Sequence, residues 1–499
     1  MKTITLNPSA LKKLHETSPR LISYNIEMTE VTGGTFWKCY TPEQVSGKEE
    51  FPKLDPNVQG NFLNLTELMQ EYPPIDLYNE KIRAFAKELG PAWVRVSGTW
   101  ATTTYYDFDG HTNGKVPEGF RSVLTKEQWI GVLDFVKDTD ARLLISVGNC
   151  EGNHNPDGSW NPEQAKLIFD FSKEYGVPIN AAEFTNEPNA MEVSGTPKGY
   201  TAEDFARDQD AFFRFINDNY PEILTVGPCG AGDSWCGEYG KNMRHPVNLD
   251  VVPTEEILKL CKEKPDVFSY HYYNGLSERG AFMGGHWDAS EAHTDEYIGE
   301  SERACRITRE FRDKYTPGAP MWVTESGDAG AGGNTWASTY LDVLRFANEL
   351  GVFSSLTHGI IFHNTFCSSD YGLLAPETYE IRPNYWLCWL WNRLMGTTVY
   401  DAGGNVAESL HIYAHSRRDG KKGAAYLIVN NSLTGKVTVE LPGIAECYTM
   451  SAEFLRSGEV MINGQVMPVN GTELPYVSPV TISTGAAELP PATVTFVIV

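Results

Sequence analysis

The chain has 499 residues, of which 41% are hydrophobic and 21% are charged, a globular composition sufficient for one large and one smaller domain. Its 41 Lys and Arg against 65 Asp and Glu give a formal net charge of −24. Nucleic acids and anionic membranes would be repelled by such a surface, so neither is expected as a partner. A small carbohydrate or glycoside ligand is compatible with this charge.

The cysteines and the apolar runs bear on the compartment. The nine cysteines are odd in number and include no Cys-x-x-Cys pair, which is typical of reduced, mostly buried thiols. The N-terminal residues lack a secretory apolar segment, and no apolar run approaches the roughly 18 residues of a membrane span. We therefore expect a cytoplasmic protein. The oligomeric state does not follow from the sequence.

Short apolar runs alternate with amphipathic stretches through most of the chain. The predicted strands are 21–28, 93–97, 143–147, 179–189, 223–226, 267–273, 321–324 and 359–366. The predicted helices are 75–89, 126–138, 162–175, 201–219, 254–264, 301–315, 336–350 and 384–394. Strands separated by helices pair in parallel, and eight such units predict an α/β fold, a (β/α)8 barrel. An open doubly wound sheet is less consistent, because no glycine-rich phosphate turn follows the first strand.

The helical periodicity ends after Gly396. Short β runs follow at 411–414, 424–429, 437–441, 460–462 and 493–499, separated by Gly, Asn and Pro turns. This pattern predicts a C-terminal β-sandwich, which the strand-like segment 2–6 could join. The predicted domains are therefore a barrel over 16–397 and a sandwich made of 1–15 with 398–499. Because no low-complexity linker separates them, they should pack closely.

Two predicted strands end on a glutamate. The segment 179–189 closes on Asn186-Glu187-Pro188, and the segment 321–325 closes on Thr324-Glu325. In a barrel, the carboxyl ends of strands four and seven both face the central mouth. Two carboxylates about 5 Å apart are the pair used by retaining glycosidases, one as general acid/base and the other as nucleophile. The sequence therefore predicts Glu187 and Glu325 as catalytic residues.

A nucleophilic carboxylate needs hydrogen-bond donors that keep it ionised. The candidates are Arg95 on strand two and Tyr273 at the end of strand six. Glu183 lies on the same strand face as Glu187, by the period of two, and is expected to be a structural partner inside the barrel.

Two histidines have two open interpretations. His271 and His363 could each contact a ligand or be a hydrogen-bonded core histidine. No histidine–carboxylate cluster has the spacing of a metal site, so we expect neither a metal nor a cofactor.

The motifs resemble those of a known family. They are Glu183-x-x-Asn186-Glu187-Pro188-Asn189, the run 271–275 (HYYNG), Thr324-Glu325-Ser326 before a Gly-rich loop, and Tyr371 preceding Asn384-Tyr385-Trp386. Together they look like glycoside hydrolase family 79, which includes heparanase and β-glucuronidases within the clan of strand-four/strand-seven glycosidases. The resemblance implies Glu187 as acid/base, Glu325 as nucleophile, Asn186 beside the sugar 2-hydroxyl, and Tyr273 bonded to the nucleophile. It also implies sugar contacts in the −1 subsite for Glu27 and Thr99.

The loop after Glu325 departs from that family. There, a tyrosine and consecutive glycines follow the nucleophile, and backbone N–H groups help hold the glucuronate carboxylate. Here the loop 327–333 reads GDAGAGG: the tyrosine is absent, Ala331 replaces a glycine, and Asp328 adds a negative charge. Gly332 and Tyr371 remain as candidate contacts of the sugar. The mechanism is therefore better supported than the identity of the sugar.

Three hypotheses follow. The first is a retaining β-glycoside hydrolase that cleaves β-D-glucuronides. The second keeps the mechanism but takes a β-glucoside, or a disaccharide glycoside such as a rutinoside of a plant flavonoid. The third is a non-catalytic carbohydrate-binding barrel, against which the presence of both glutamates argues. The acidic composition also argues against a heparan-type polyanion as substrate.

Overall fold

A computed structural model describes residues 2–54, 67–191, 193–241, 243–247, 251–357, 359–483 and 485–499. Eight parallel strands form a closed barrel, in which each strand pairs with the next and the eighth with the first. They are β1 (Ile22–Glu27), β2 (Trp93–Ser97), β3 (Arg142–Ser146), β4 (Ala181–Glu183), β5 (Leu224–Gly230), β6 (Val267–Tyr273), β7 (Met321–Gly327) and β8 (Ile361–His363). The predicted (β/α)8 barrel is confirmed.

A helix follows every barrel strand. They are α1 (Glu80–Leu89), α2 (Lys126–Asp138), α3 (Glu163–Tyr175), α4 (Ala202–Asn219), α5 (Thr254–Leu260), α6 (Asp295–Tyr315), α7 (Tyr340–Leu356) and α8 (Pro383–Leu394). The predicted helix 336–350 ends too early, because α7 continues through Gly351 to Leu356. A Cβ atom at Gly351 would lie 2.1 Å from the ring of Tyr413, so the glycine permits close packing. Within the described ranges, every helix is too short or too polar to span a membrane.

The barrel interior is layered. An apolar layer lies toward the amino ends of the strands and includes Trp93, Leu144, Ala181, Val267, Trp322 and Phe362. Because side chains two residues apart share a strand face, Arg95 and Glu183 lie one layer nearer the carboxyl ends. Both are fully buried. The barrel thus places charged groups directly beneath its mouth.

Loops at the carboxyl ends carry further short elements. The strands Gly34–Trp37 and Met69–Tyr72 form an antiparallel pair, and Thr104–Asp107 pairs in parallel with Ser122–Thr125. Short helices span Met28–Thr32, Pro42–Ser46 and Gly237–Gly240, and 3-10 helices span Thr99–Thr103, Glu151–Asn153, Pro188–Ala190 and Ala281–Met283. Several of these loops line the cavity described below. A further 3-10 helix, Pro8–Ala10, precedes the barrel.

The C-terminal region forms two sheets, as predicted. One runs in the order Lys12–Glu16, Met395–Ala407, Leu410–Arg417, Ala425–Asn430, Thr493–Ile498, Ala445–Ser451, Met461–Ile462 and Gln465–Val466, with Val480–Ile482 on Ala445–Ser451. The other joins Lys2–Thr5, Val437–Glu440 and Ala486–Leu489. The N-terminal strand thus enters these sheets, as expected. The strand Met395–Ala407 was not predicted, because its three glycines, Gly396, Gly403 and Gly404, are typical of a loop.

Helix α7 joins the barrel to the sandwich. Every residue from Tyr340 to Ser354 is buried, so the helix is covered on all sides. The Tyr413 hydroxyl donates to Asn348 Oδ1 over 2.7 Å, and His415 Nε2 lies 3.1 Å from Ser354 Oγ. The two parts of the chain therefore pack closely, as the absence of a linker predicted.

Candidate active site

The two predicted catalytic glutamates meet at the barrel mouth. Glu325 lies within β7, whereas Glu187 lies four residues past the end of β4. The predicted strand 179–189 is therefore too long, and Glu187 has a left-handed backbone with φ 47° and ψ 63°. A carboxylate oxygen of Glu187 lies within 4.8 Å of one on Glu325. Backbone strain of roughly 1–3 kcal/mol at a non-glycine residue is typical of functional sites.

Hydrogen-bond donors surround the Glu325 carboxylate. The Tyr273 hydroxyl donates to Oε1 over 2.5 Å, and Asn364 Nδ2 lies 3.3 Å from the same oxygen. Arg95 Nη1 donates to Oε2 over 3.2 Å. Burial, together with the negative charge of Glu325, raises the pKa of Tyr273 well above its ordinary value, which keeps this hydroxyl protonated as a donor. The two predicted donors are present, and Asn364 is one that the sequence did not reveal.

Glu183 fixes the position of Arg95. Its carboxylate accepts from Arg95 Nε over 2.9 Å and Nη2 over 2.5 Å, and also from Ser97 and Cys229. Burial alone would favour the neutral acid, but the Arg95 guanidinium holds the pKa of Glu183 below its ordinary value. These contacts support the prediction that Glu183 is a structural partner, because donors inside the barrel occupy both of its carboxylate oxygens.

His271 connects the two candidate catalytic residues. Its Nε2 lies 3.2 Å from Arg95 Nη2, and a guanidinium can only donate. We therefore assign the imidazole proton to Nδ1, which lies 2.9 Å from Glu187 Oε1 and 3.5 Å from Glu325 Oε2. His271 thus contacts the carboxylates themselves.

The residues predicted to contact the sugar mostly line one cavity of about 310 Å³. Those on its wall are Glu27, Thr99, Asn186 and Tyr371. Arg95 Nη2 donates to Asn186 Oδ1 over 2.8 Å, which orients the amide. Burial, and next the charge of Glu325, raises the pKa of Glu27 well above its ordinary value. The protein thus favours the protonated form of Glu27, in which the carboxyl can donate a hydrogen bond to a ligand.

Three residues predicted as possible ligand contacts, His271, His363 and Gly332, are not on the described cavity wall. His363 is buried, its Nε2 is 2.7 Å from the Tyr371 carbonyl, and its ring packs 4.7 Å from that of Phe346. Burial lowers the pKa of His363 to about 4, as for a neutral core histidine. Gly332 is closely packed, since a Cβ there would be 2.7 Å from the Trp37 indole. The structure therefore supports the second interpretation, a hydrogen-bonded core histidine, for His271 and His363, and it does not place Gly332 on the wall.

The loop 327–333 differs from expectation in its charge. Asp328 is buried, and its Oδ2 accepts from the Asn334 N–H over 2.9 Å. Burial, with a contribution from Asp342, raises the pKa of Asp328 well above its ordinary value. Burial thus disfavours the charged form of this carboxyl, which is tied into the loop and is not on the described cavity wall. The structure therefore does not support the prediction that Asp328 adds negative charge beside the sugar.

The wall of this cavity carries two chemically distinct sets of residues, which we call the polar chamber and the apolar chamber. The polar chamber is formed by Glu27, Thr99, Asn186, Glu187, Tyr273, Glu325, Asn364 and Tyr371. The apolar chamber is formed by Phe36, Met69, Trp100, Val193, Trp235, Val251 and Leu276, with Arg121 also on the wall. The sequence prediction missed the apolar chamber, because its residues come from separate loops that only the fold brings together.

Two groups of described residues have the atoms of a metal site. One is the catalytic cluster of Glu187, His271 and Glu325. There the guanidinium of Arg95 already supplies a positive charge and occupies His271 Nε2. The other joins Asp107, buried at the end of the strand Thr104–Asp107, to the exposed Asp109 and His111. We assign a metal to neither.

The fold and the glutamate pair define the class: a (β/α)8 barrel with a β-sandwich and the paired carboxylates of a glycosidase. The same fold occurs in a 4-O-α-L-rhamnosyl-β-D-glucuronidase from Fusarium oxysporum, with a TM-score of 0.63 and 11% identity, covering 99% of this chain and 100% of that one. At this identity the likeness concerns the fold alone.

Proteins of similar sequence indicate which glycosidases this chain resembles. Heparanase-like protein 1 of Arabidopsis thaliana is 23% identical over 386 residues, covering 74% of this chain and 67% of the relative. A hyaluronoglucuronidase of Hirudo nipponia is 22% identical over 443 residues, covering 80% and 85%. No protein-family model matches the chain. The resemblance to heparanase and β-glucuronidases that the motifs indicated is thus confirmed.

Proposed function

We propose that this protein is a retaining β-glycoside hydrolase that cleaves β-D-glucuronides, with Glu187 as general acid/base and Glu325 as nucleophile. One observation supports this proposal above the others. A carboxylate oxygen of Glu187 lies within 4.8 Å of one on Glu325, on the wall of one cavity. Retaining glycosidases place their carboxyl groups about 5–5.5 Å apart, whereas inverting enzymes leave about 6.5–9.5 Å for a water molecule.

The first step forms a glycosyl ester. The Glu325 carboxylate attacks the anomeric carbon while the bond from that carbon to the leaving oxygen breaks. Glu187 gives its proton to that oxygen and becomes a carboxylate, which the Nδ1–H of His271 stabilises through its 2.9 Å hydrogen bond. Tyr273 and Arg95 keep the nucleophile oriented for attack.

The second step reverses these roles. Glu187 takes a proton from water, the hydroxide attacks the anomeric carbon, and the ester bond to Glu325 breaks. The sugar leaves with its original β configuration. The Asn186 amide, oriented by Arg95, faces the same cavity and is placed to bind the sugar 2-hydroxyl.

Neutral donors support glucuronate as the sugar. Ala331 lines the cavity in a left-handed turn, with φ 62°. Its backbone N–H donates to no other residue in the described part of the chain. A backbone N–H in a turn can bind an anion, and alanine keeps this donor because it belongs to the backbone. The Tyr371 hydroxyl adds a donor on the same wall.

A neutral β-glucoside or a disaccharide such as a rutinoside is the second candidate. It is favoured by the polar chamber, which contains three carboxyl groups and, among its described residues, no lysine or arginine. The raised pKa of Glu27 favours its neutral form, which would reduce the repulsion that a glucuronate meets.

The test is a panel of 4-nitrophenyl β-glucuronide, β-glucoside and β-rutinoside, with the first product anomer followed by NMR. We expect glucuronide hydrolysis with the β-anomer released first. Initial release of the α-anomer would contradict the retaining mechanism. Glucoside cleavage without glucuronide cleavage would contradict the sugar assignment. Activity on no member of the panel would favour a carbohydrate-binding barrel.

A further inference from the structure

The apolar chamber has the chemistry of an aromatic site. Phe36 and Trp100 lie with ring centroids 5.0 Å apart, and Met69 packs on the same cluster. Trp235, Leu276 and Val251 belong to a separate apolar cluster. Both clusters reach the wall of the cavity that holds the glutamates. A group leaving the anomeric carbon therefore has two apolar surfaces available to it.

This chamber offers little to a second sugar. A sugar presents several hydroxyl groups, each of which needs a hydrogen-bond partner when it leaves water. Asn189, which also lines the cavity, uses its amide on the Val252 carbonyl, on Thr254 and on the Ala231 N–H. Apart from Asn189, Arg121 is the charged or polar side chain that the described residues contribute beside the apolar chamber.

Arg121 could instead extend the site for an acidic glycan. It lines both this cavity and a neighbouring cleft of about 580 Å³ that contains Lys198. A uronic acid chain would follow these two cations, whereas an aromatic group would contact Trp100 and Trp235. The apolar side chains outnumber these two cations, so an aromatic group is the favoured ligand of this part of the wall.

We infer that the leaving group is an aryl aglycone bound against Trp100 and Trp235, so that the substrates are aryl β-glycosides. This inference depends on the proposed function. In the reaction, the bond between the anomeric carbon and the phenolic oxygen breaks, Glu187 supplies the proton, and the phenol leaves through the apolar chamber.

The experiment compares leaving groups of similar acidity but different aromatic area. We would measure kcat/KM for 2-naphthyl and phenyl β-D-glucuronide, for a β-glucuronyl disaccharide, and for β-D-glucuronyl fluoride, whose leaving group has no aglycone. For the wild type we expect a higher value for naphthyl than for phenyl, and for phenyl than for the disaccharide. The ratio of naphthyl to fluoride should fall about tenfold in Trp235→Ala and Trp100→Ala.

Both kcat/KM values of a ratio are measured on one preparation, so a loss of folded protein in a variant does not change the ratio. Trp235→Phe should restore most of the naphthyl preference, since an aromatic ring remains. Phe454→Ala removes a 54%-exposed aromatic side chain from the C-terminal region and should not change the ratio. A preference for the disaccharide, with Arg121→Gln more damaging than either tryptophan change, would overturn the inference in favour of an acidic glycan. Absence of turnover with the fluoride would instead contradict the proposed function itself.

Discussion

Two fully buried arginines hold pairs of carboxylates in this protein, in very different settings. Arg95 binds Glu183 and Glu325, whereas Arg345 binds Asp342 and Glu349. The partners of Arg345 lie three residues before it and four residues after it on α7, and both are at most 2% exposed. The partners of Arg95 lie on other strands of the barrel.

The difference lies in what remains accessible. Glu325 faces the cavity and keeps 9% of its side chain exposed, so a substrate can reach its carboxylate. Glu349 is sealed between barrel and sandwich, and burial raises its pKa to about 7. The two clusters meet at β7, where the Ser326 hydroxyl, next to Glu325 in sequence, donates to Glu349. An open cluster can perform chemistry, whereas a closed one can only stabilise the fold around it.

The largest expected effect is at the open cluster. Glu325→Gln should lower kcat by roughly 10⁴- to 10⁶-fold on every substrate, because removing a nucleophile eliminates the covalent route. Stopped assays over hours would quantify the residual rate. Glu349→Gln, which changes the closed cluster by the same chemistry, is the matched control and should retain far more activity per folded molecule. Similar losses of kcat in both variants would contradict the distinction between the open and the closed cluster.

The acid/base should show a dependence on the leaving group. Glu187→Ala should lower kcat by about 10²- to 10⁴-fold for a phenyl glycoside and much less for an activated nitrophenyl glycoside, which needs little protonation. Added azide should restore turnover and give a β-glycosyl azide, detected by NMR. Equal loss on both leaving groups would contradict the acid/base role.

The closed cluster should be measured by stability. Arg345→Met leaves two carboxylates without their cation and should lower the free energy of unfolding by about 3–5 kcal/mol. Arg309→Met is the matched control, since its ion pair with Asp313 is exposed and worth about 0–1 kcal/mol. Urea unfolding followed by tryptophan fluorescence compares the two. A loss below about 1 kcal/mol for Arg345→Met would contradict the structural role.

The smallest effect concerns pH at the same closed interface. Burial lowers the pKa of His415 to about 4 from an ordinary value near 6.5, so the unfolded chain binds this proton more readily. Its stabilising contribution is present above pH 6.5 and is lost as the pH falls toward 4. The stability difference between wild type and His415→Asn should therefore shrink by about 3 kcal/mol between pH 7 and pH 4. A constant difference would mean that the imidazole is not held neutral.

Sequence reasoning succeeded where a local pattern and the fold carry the information together. The apolar runs ending on Glu187 and Glu325 became informative because the eightfold alternation placed both at one barrel mouth. The contacts of Arg95 and Tyr273 with Glu325 followed from the same placement.

The failures share a physical cause. His363 and Gly332 are close in the chain to residues of the active site. Whether such a residue reaches the cavity depends on the packing around it, which the sequence does not show. Asp328 is counted as a charge in the composition, but burial raises its pKa and so disfavours its charged form. Trp100 and Trp235 come from loops far apart in the chain and meet only through tertiary structure.

The contact of Gly351 with Tyr413 bears on how this architecture could be recombined. The aromatic ring of a sandwich strand lies where the side chain of a barrel helix would otherwise be. Exchanging the sandwich for one from another enzyme would have to preserve both the glycine and the tyrosine, or the helix would lose its cover. The barrel and the sandwich therefore depend on each other for packing. Their sequences are expected to change together in evolution at the contact between Gly351 and Tyr413.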